Sequence, residues 1–274
     1  MSINLSPVAQ TIFDDEVKHA FQTAGSLRDT VTVRNGVIGD IYKFRKMGKG
    51  LANQKATQAD VTPMDVSHDN ISCTLQNWNA PEYTDIFDAA EVNFDEQREL
   101  AQTIAGALGR RLDQLIIDAL AAEGSPAGTI VHGSAGMTLA KVVEASKHLN
   151  DKGVPSEDRH FAISAAGLED LLVISQVTSS DFNSVRALMS GELDTWMGFK
   201  WHIIETRSEG GLPFASSTTE SFAWHKSAVG LAVGIDLKTE VNYIAQKTSF
   251  LCNGVMKAGA VSRDGDGSVS VSYQ

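Results

Sequence analysis

The sequence predicts a mixed α+β protein organised around one long helix, and three observations predict it. An apolar stripe runs unbroken through residues 93–123. Apolar and polar residues alternate on both sides of a long polar stretch within residues 27–80. From residue 196 onward the chain reads mostly as strand. A helix repeats every 3.6 residues and a half-buried strand every two, so these patterns separate the two kinds of element.

Residues 11–23 form the first expected element, a short amphipathic helix. Phe13, Val17 and Phe21 recur every fourth residue, with Asp14, Asp15, Glu16 and Lys18 between them. A helix this short cannot bury its stripe alone, so it needs another surface in the same chain or in a neighbour. Val31 and Val33 then alternate with polar residues, and Asn35-Gly36 marks a tight turn. Ile38 to Phe44 is strand-like, and Ile71, Cys73 and Leu75 alternate with Ser72, Thr74 and Gln76. Between these strands lie about 25 polar residues, which makes a long protruding β-hairpin.

The long helix opens at Asn93 with Glu96 as a capping box. Leu100, Ile104, Leu108, Leu112, Leu115, Ile116 and Leu120 hold one face until Gly124-Ser125-Pro126 stops it. At 1.5 Å per residue it is roughly 40–45 Å long. A Gly/Ser loop covers 124–137, and a second helix over 138–150 carries Leu139, Val142, Val143, Ser146 and Leu149 on one face. Asp151-Lys152-Gly153 and Pro155 close it. His160 to Ile163 is a short strand, Ser164 caps a third helix bearing Leu168, Leu171 and Leu172, and residues 181–190 read as a fourth. Late in the chain Leu231, Val233, Ile235 and Leu237 alternate, as do Val269, Val271 and Tyr273 with serines.

Composition bounds the function. The chain has 274 residues, 42% hydrophobic and 21% charged, which excludes a wholly disordered protein. About 70% of the surface of such a chain can be buried, enough for a real core. Its net charge of −11 argues against a protein that grips nucleic acid over a broad basic face. No apolar run approaches the ~20 residues that span a bilayer, and the N-terminus lacks the basic and apolar segments of a signal peptide. Cys73 and Cys252 stand far apart, so they read as reduced thiols of a cytosolic protein rather than a disulfide or zinc site.

Motifs for chemistry are weak. His19, His68, His132, His148, His160, His202 and His225 make no HxH or HExxH pattern. His132-Gly133-Ser134-Ala135-Gly136 lacks the glycine two before the serine that a nucleophile elbow needs. Gly48-Lys49-Gly50 is too short for a phosphate loop, and Asp264-Gly265-Asp266-Gly267 reads as a hairpin turn rather than a calcium loop. No catalytic, cofactor or metal constellation emerges. The charged features stand out instead. Lys43, Arg45, Lys46, Lys49 and Lys55 fall on the hairpin and its tip, a docking surface for an acidic neighbour. The acidic candidates are Asp14, Asp15 and Glu16 in the arm and Asp95 with Glu96 at the start of the long helix.

The order of elements resembles the major capsid proteins of tailed bacteriophages. PEYTDIFDAAEVNFDEQRELAQTIAGALGRRLDQLIIDAL is similar to the strand and spine helix of that family. KHLNDKGVPSEDRHFAISAAGLEDLL is similar to its second domain. GELDTWMGFKWHIIET resembles its G-x-L-x-x-x-x-Gly-Phe segment, with Gly191, Gly198 and Phe199 in place, and HKSAVGLAV resembles its closing region. The resemblance implies an N-terminal arm over 1–30 and an extended hairpin loop over 31–78. It implies a peripheral domain over 79–127 and 231–274 with a spine helix over 94–124, and an axial domain over 128–230. It also implies a shell of hexamers and pentamers around double-stranded DNA, a separate scaffolding protein, a portal protein and a cement or decoration protein. Assembly is then expected in the bacterial host cytoplasm, with no cofactor, no membrane and no enzymatic activity. An encapsulin-type bacterial shell and a soluble enzyme with dispersed catalytic residues are the competing readings.

Overall fold

A computed structural model describes residues 25–86, 96–122, 128–173, 195–206 and 209–274, with backbone alone for 96 and 97. The arm helix expected at 11–23, the capping box at Asn93, the Gly-Ser-Pro stop and the helix expected at 181–190 lie outside the described residues.

Two sheets share the long helix α1 (Glu96–Ala122). The first sheet has the order β1 (Thr32–Asn35), β10 (Val229–Ile244), β11 (Ser249–Ser262), β4 (Gln76–Asp85). The second has the order β5 (Thr129–Ile130), β12 (Ser268–Tyr273), β9 (Thr218–His225), β6 (Arg159–Ile163), β7 (Lys200–Ile203), with β8 (Phe214–Ala215) also on β9. The stripe of α1 serves both. Ile104 and Leu108 lie over Gly254 of β11, where an added Cβ would stand 2.3 Å from Ile104 Cγ2. Ile116, Ile117 and Leu120 join the same core as Phe222 and Trp224 of β9. A second core lies between the other sheet's opposite face and the helices α2 (Leu139–Asp151) and α3 (Ala165–Val173). Thr138 caps α2 by accepting from Lys141 N, and Ser164 Oγ accepts from Gly167 N at the start of α3.

The hairpin is a separate two-stranded sheet, β2 (Ile41–Met47) against β3 (His68–Thr74), joined by residues 48–67 without regular structure. Its base packs on the face of the first sheet that α1 leaves free, where Phe44, Cys73 and Leu75 meet Ala232. Close approach is possible because Gly230 and Gly259 lack side chains. A Cβ on Gly259 would lie 2.1 Å from Thr74 O, and one on Gly230 would lie 2.7 Å from Phe44 Cζ.

Four expectations change. The strand of Val33 does not turn back at Asn35-Gly36 onto the next strand, because β1 runs parallel to β10 across nearly two hundred residues of sequence and β2 pairs with β3. Val143 points to solvent, and Ala145 fills the inner face of α2 instead. The alternation in β10 fails after Val233: register shifts on either side of Ile235 leave Ile235 and Leu237 exposed while Leu231 and Val233 are buried. Asp264 to Gly267 is not a hairpin turn, because β11 and β12 belong to different sheets and this turn carries the chain from one to the other.

Candidate assembly surface

The arm's root is the first built feature. Asp113 lies buried on α1, and its carboxylate accepts from Ser26 N at 2.8 Å and Leu27 N at 3.0 Å. Burial pushes its pKa up, against the pull of those two backbone donors. Gly25 has φ +96°, and an added Cβ would lie 2.8 Å from Gly109 O. The segment that leads to residues 1–24 is thereby fixed on the α1 side of the first sheet.

The hairpin is the second feature. Strand alternation places Tyr42, Phe44 and Lys46 towards the body and Ile41, Lys43, Arg45 and Met47 away from it. Lys46 Nζ lies 2.8 Å from Asp264 Oδ1, and that hydrogen bond raises the lysine's pKa. Lys49 Nζ donates to Lys152 O at 3.1 Å, while Lys152 Nζ lies 3.1 Å from Asp266 Oδ1. The acidic turn between the sheets therefore anchors the subunit's own hairpin and α2, a role that its reading as a local turn missed. Lys43, Arg45 and Lys55 remain exposed. So do Ile41, Met47 and Met64, with Leu51 at 80% and Val61 at 76% exposure. Phe13, Asp14, Asp15, Glu16, Val17, Phe21 and Asp95 lie outside the described residues, as does the side chain of Glu96.

The loop around Ser134 has a structural use. Lys141 is buried, and its ammonium donates to the carbonyls of His132 (3.0 Å), Ala135 (3.0 Å), Gly136 (2.9 Å) and Ser272 (3.1 Å). Burial lowers its pKa, and Asp170 offsets part of that. His132 Nδ1 accepts from Ser134 N at 3.0 Å, so this imidazole is turned to the backbone rather than to the serine hydroxyl. Buried His160 pairs with half-buried His202, with Nδ1 and Nε2 at 3.0 Å and both rings stacked on Trp224. One of the two nitrogens must be unprotonated for that bond. Burial, then His202 and Lys200, pushes His160 down to about 4. Among the described residues no group of three or more His, Cys, Asp or Glu could hold a metal ion, and no helix is long and apolar enough to cross a membrane. Both cysteines are buried thiols.

A model of a family described as phage capsid protein matches residues 5–274. The chain belongs to that family. Solved structures agree on the fold. The head of Helicobacter pylori bacteriophage KHP40 matches at TM-score 0.77 and 10% identity, over 100% of this chain and 98% of that one. Mycobacterium phage Che8 matches at TM-score 0.73 and 17% identity, over 95% of each chain. The capsid of Ralstonia phage GP4 matches at TM-score 0.73 and 10% identity, over 100% and 97%. A comparison with curated proteins finds no match. As a phage capsid protein, the chain is a structural subunit of the virion shell that assembles with copies of itself. Neither an encapsulin-type shell nor a soluble enzyme is favoured.

Proposed function

We propose that this capsid protein forms hexamers and pentamers of an icosahedral shell around double-stranded DNA, with assembly in the host cytoplasm. Residues 1–30 serve as an arm and the hairpin region within 31–78 as an extended loop that lies on a neighbour. Residues 79–127 and 231–274 form the peripheral domain, with the spine over 94–124, and residues 128–230 form the axial domain. A separate scaffolding protein directs assembly, a portal occupies one vertex, and a cement or decoration protein binds outside. The net charge of −11 suits a wall that contains DNA without gripping it.

One observation carries the reading. The outward hairpin face and tip expose Ile41, Met47, Leu51, Val61 and Met64, apolar side chains that find no core among the described residues. Exposed apolar clusters of this kind mark surfaces that bury against a partner. Deleting Gly48–Thr57 tests it. The expected outcome is a folded subunit, with an unchanged far-UV spectrum and melting temperature, that makes no closed shells by electron microscopy. Normal shells from the deletion would refute the contact role.

A further inference from the structure

A basic cleft of about 380 Å³ opens where the hairpin base crosses the first sheet, and its walls come from three distant parts of the chain. Arg34 comes from β1, Tyr42, Lys43, Phe44 and Arg45 from β2, and Arg263 from the end of β11. Arg34 and Arg263 stand on the side of two aromatic rings that meet edge to face at 4.8 Å, and Lys43 and Arg45, which alternate to the outer face of β2, border the cleft from that side. Arg263 stands with Cζ 5.2 Å from the Phe44 ring centre, and its Nε is shut off from water with no hydrogen-bond partner. A Cβ on Gly230 would lie 2.7 Å from Phe44 Cζ and 2.8 Å from Arg263 Cδ, so this glycine makes the room in which both side chains lie. Among the described residues no carboxylate pairs with any of the four cations, although the whole chain is acidic. Guanidinium forks bind carboxylates in paired hydrogen bonds, and an uncompensated cluster of four cations repels itself until an anion arrives.

We propose that this cleft receives Asp14-Asp15-Glu16 from the arm of a second copy of the chain. The proposal rests on the shell reading above and names which groups meet. The sequence of that segment fits the cleft. Three adjacent carboxylates match the cations, and the flanking Phe13 matches the half-buried ring of Tyr42. The arm's own root is held on the α1 side of the first sheet by Asp113, whereas the cleft lies on the opposite, hairpin side. Glu16 is nine residues ahead of Gly25, a stretch that spans at most roughly 30 Å. A neighbour's cleft is reached without passing around the subunit's own sheet. A duplex DNA backbone is a poorer fit, because it presents a broad array of phosphates and the cleft admits only a few anionic groups.

Charge reversal in the full chain tests the proposal. The R34E/R45E variant places acid against acid, and D14R/D15R places base against base. Each alone is expected to lower the yield of closed shells by about tenfold or more relative to wild type, because like charges in a desolvated contact are strongly unfavourable. Melting temperatures should stay within about 2 °C, because both arginines are exposed. Mixing the two variants should restore association between unlike chains, read as mixed oligomers by native mass spectrometry, because each arm then meets an opposite charge on the other chain. Failure of the mixture to form mixed oligomers while the quadruple variant assembles would place the contact within one chain and overturn the proposal. Normal shells from either single variant would overturn it too. Binding of duplex DNA that R34E/R45E abolishes and arm reversal does not restore would assign the cleft to phosphate instead. If wild-type protein itself forms no shells, the shell reading fails first and takes the proposal with it.

Discussion

Replacing Gly230 by Ala should unlock the hairpin base without unfolding the subunit. The new methyl would lie 2.7 Å from Phe44 Cζ and 2.8 Å from Arg263 Cδ, about an ångström inside ordinary van der Waals contact. The Gly230 backbone is fixed between β1 and the antiparallel partner β11, so the Phe44 ring has to move. Phe44 is 3% exposed and anchors a small cluster with Cys73, Leu75 and Ala232 that is separate from the two main cores. Fully burying a Phe side chain stabilises by about 1.5–3 kcal/mol, so losing that seat raises the open fraction of the hairpin base roughly 10–100-fold. Cys73 reports the opening. It is buried, and burial pushes its thiol up to about 11, which keeps the reactive thiolate scarce. Cys252, buried in the main core, is an internal control. Alkylation with iodoacetamide followed by mass spectrometry should show Cys73 of G230A reacting at least tenfold faster than in wild type, with Cys252 unchanged. Equal rates at Cys73 in the two proteins would refute the packing argument, and faster reaction at both cysteines would show that the cluster is not separable from the core.

Leu112→Asp puts a carboxylate into the stripe of α1 that faces both sheets. It should cost about 3–5 kcal/mol and lower the melting temperature by roughly 10 °C or more, and an unchanged transition would show that the stripe is not buried. The His160–His202 pair makes the fold acid-sensitive. The folded pKa of His160 lies below its ordinary 6.5, so the stability it contributes is complete above that value and is lost as pH falls towards about 4. The loss has a ceiling of about 3 kcal/mol, and His160→Phe should flatten the denaturant midpoint against pH across that window. A slope identical to wild type would contradict it.

The parts legible in the sequence are those whose signal is local. Leu108, Leu112, Ile116 and Leu120 recur within a few residues of one another, and the helix they announce is there. Ile71 and Cys73 alternate, and β3 follows. Long-range pairing leaves no local trace. Val33 looks like a strand that turns back at Asn35-Gly36, because nothing near it says that Leu231 is its neighbour. Ser270 and Ser272 look like a solvated face, yet β12 is buried between β5 and β9 and both serines are covered. The candidate surface was half legible for the same reason. Lys43 and Arg45 stand together in sequence, whereas Arg34 and Arg263 reach the cleft only through the folding of β1 and β11. Lys46 and Lys49 carry the same charge as their neighbours, but the fold turns them onto Asp264 and the carbonyl of Lys152.

The central proposal is that this chain folds as a subunit whose exposed hairpin, together with the N-terminal arm, is completed by other copies of itself. Electron microscopy of the purified full chain, across protein concentration and ionic strength, tests it most directly. The account predicts closed icosahedral shells with sixfold and fivefold capsomers. Objects of only a few subunits under every condition would contradict it.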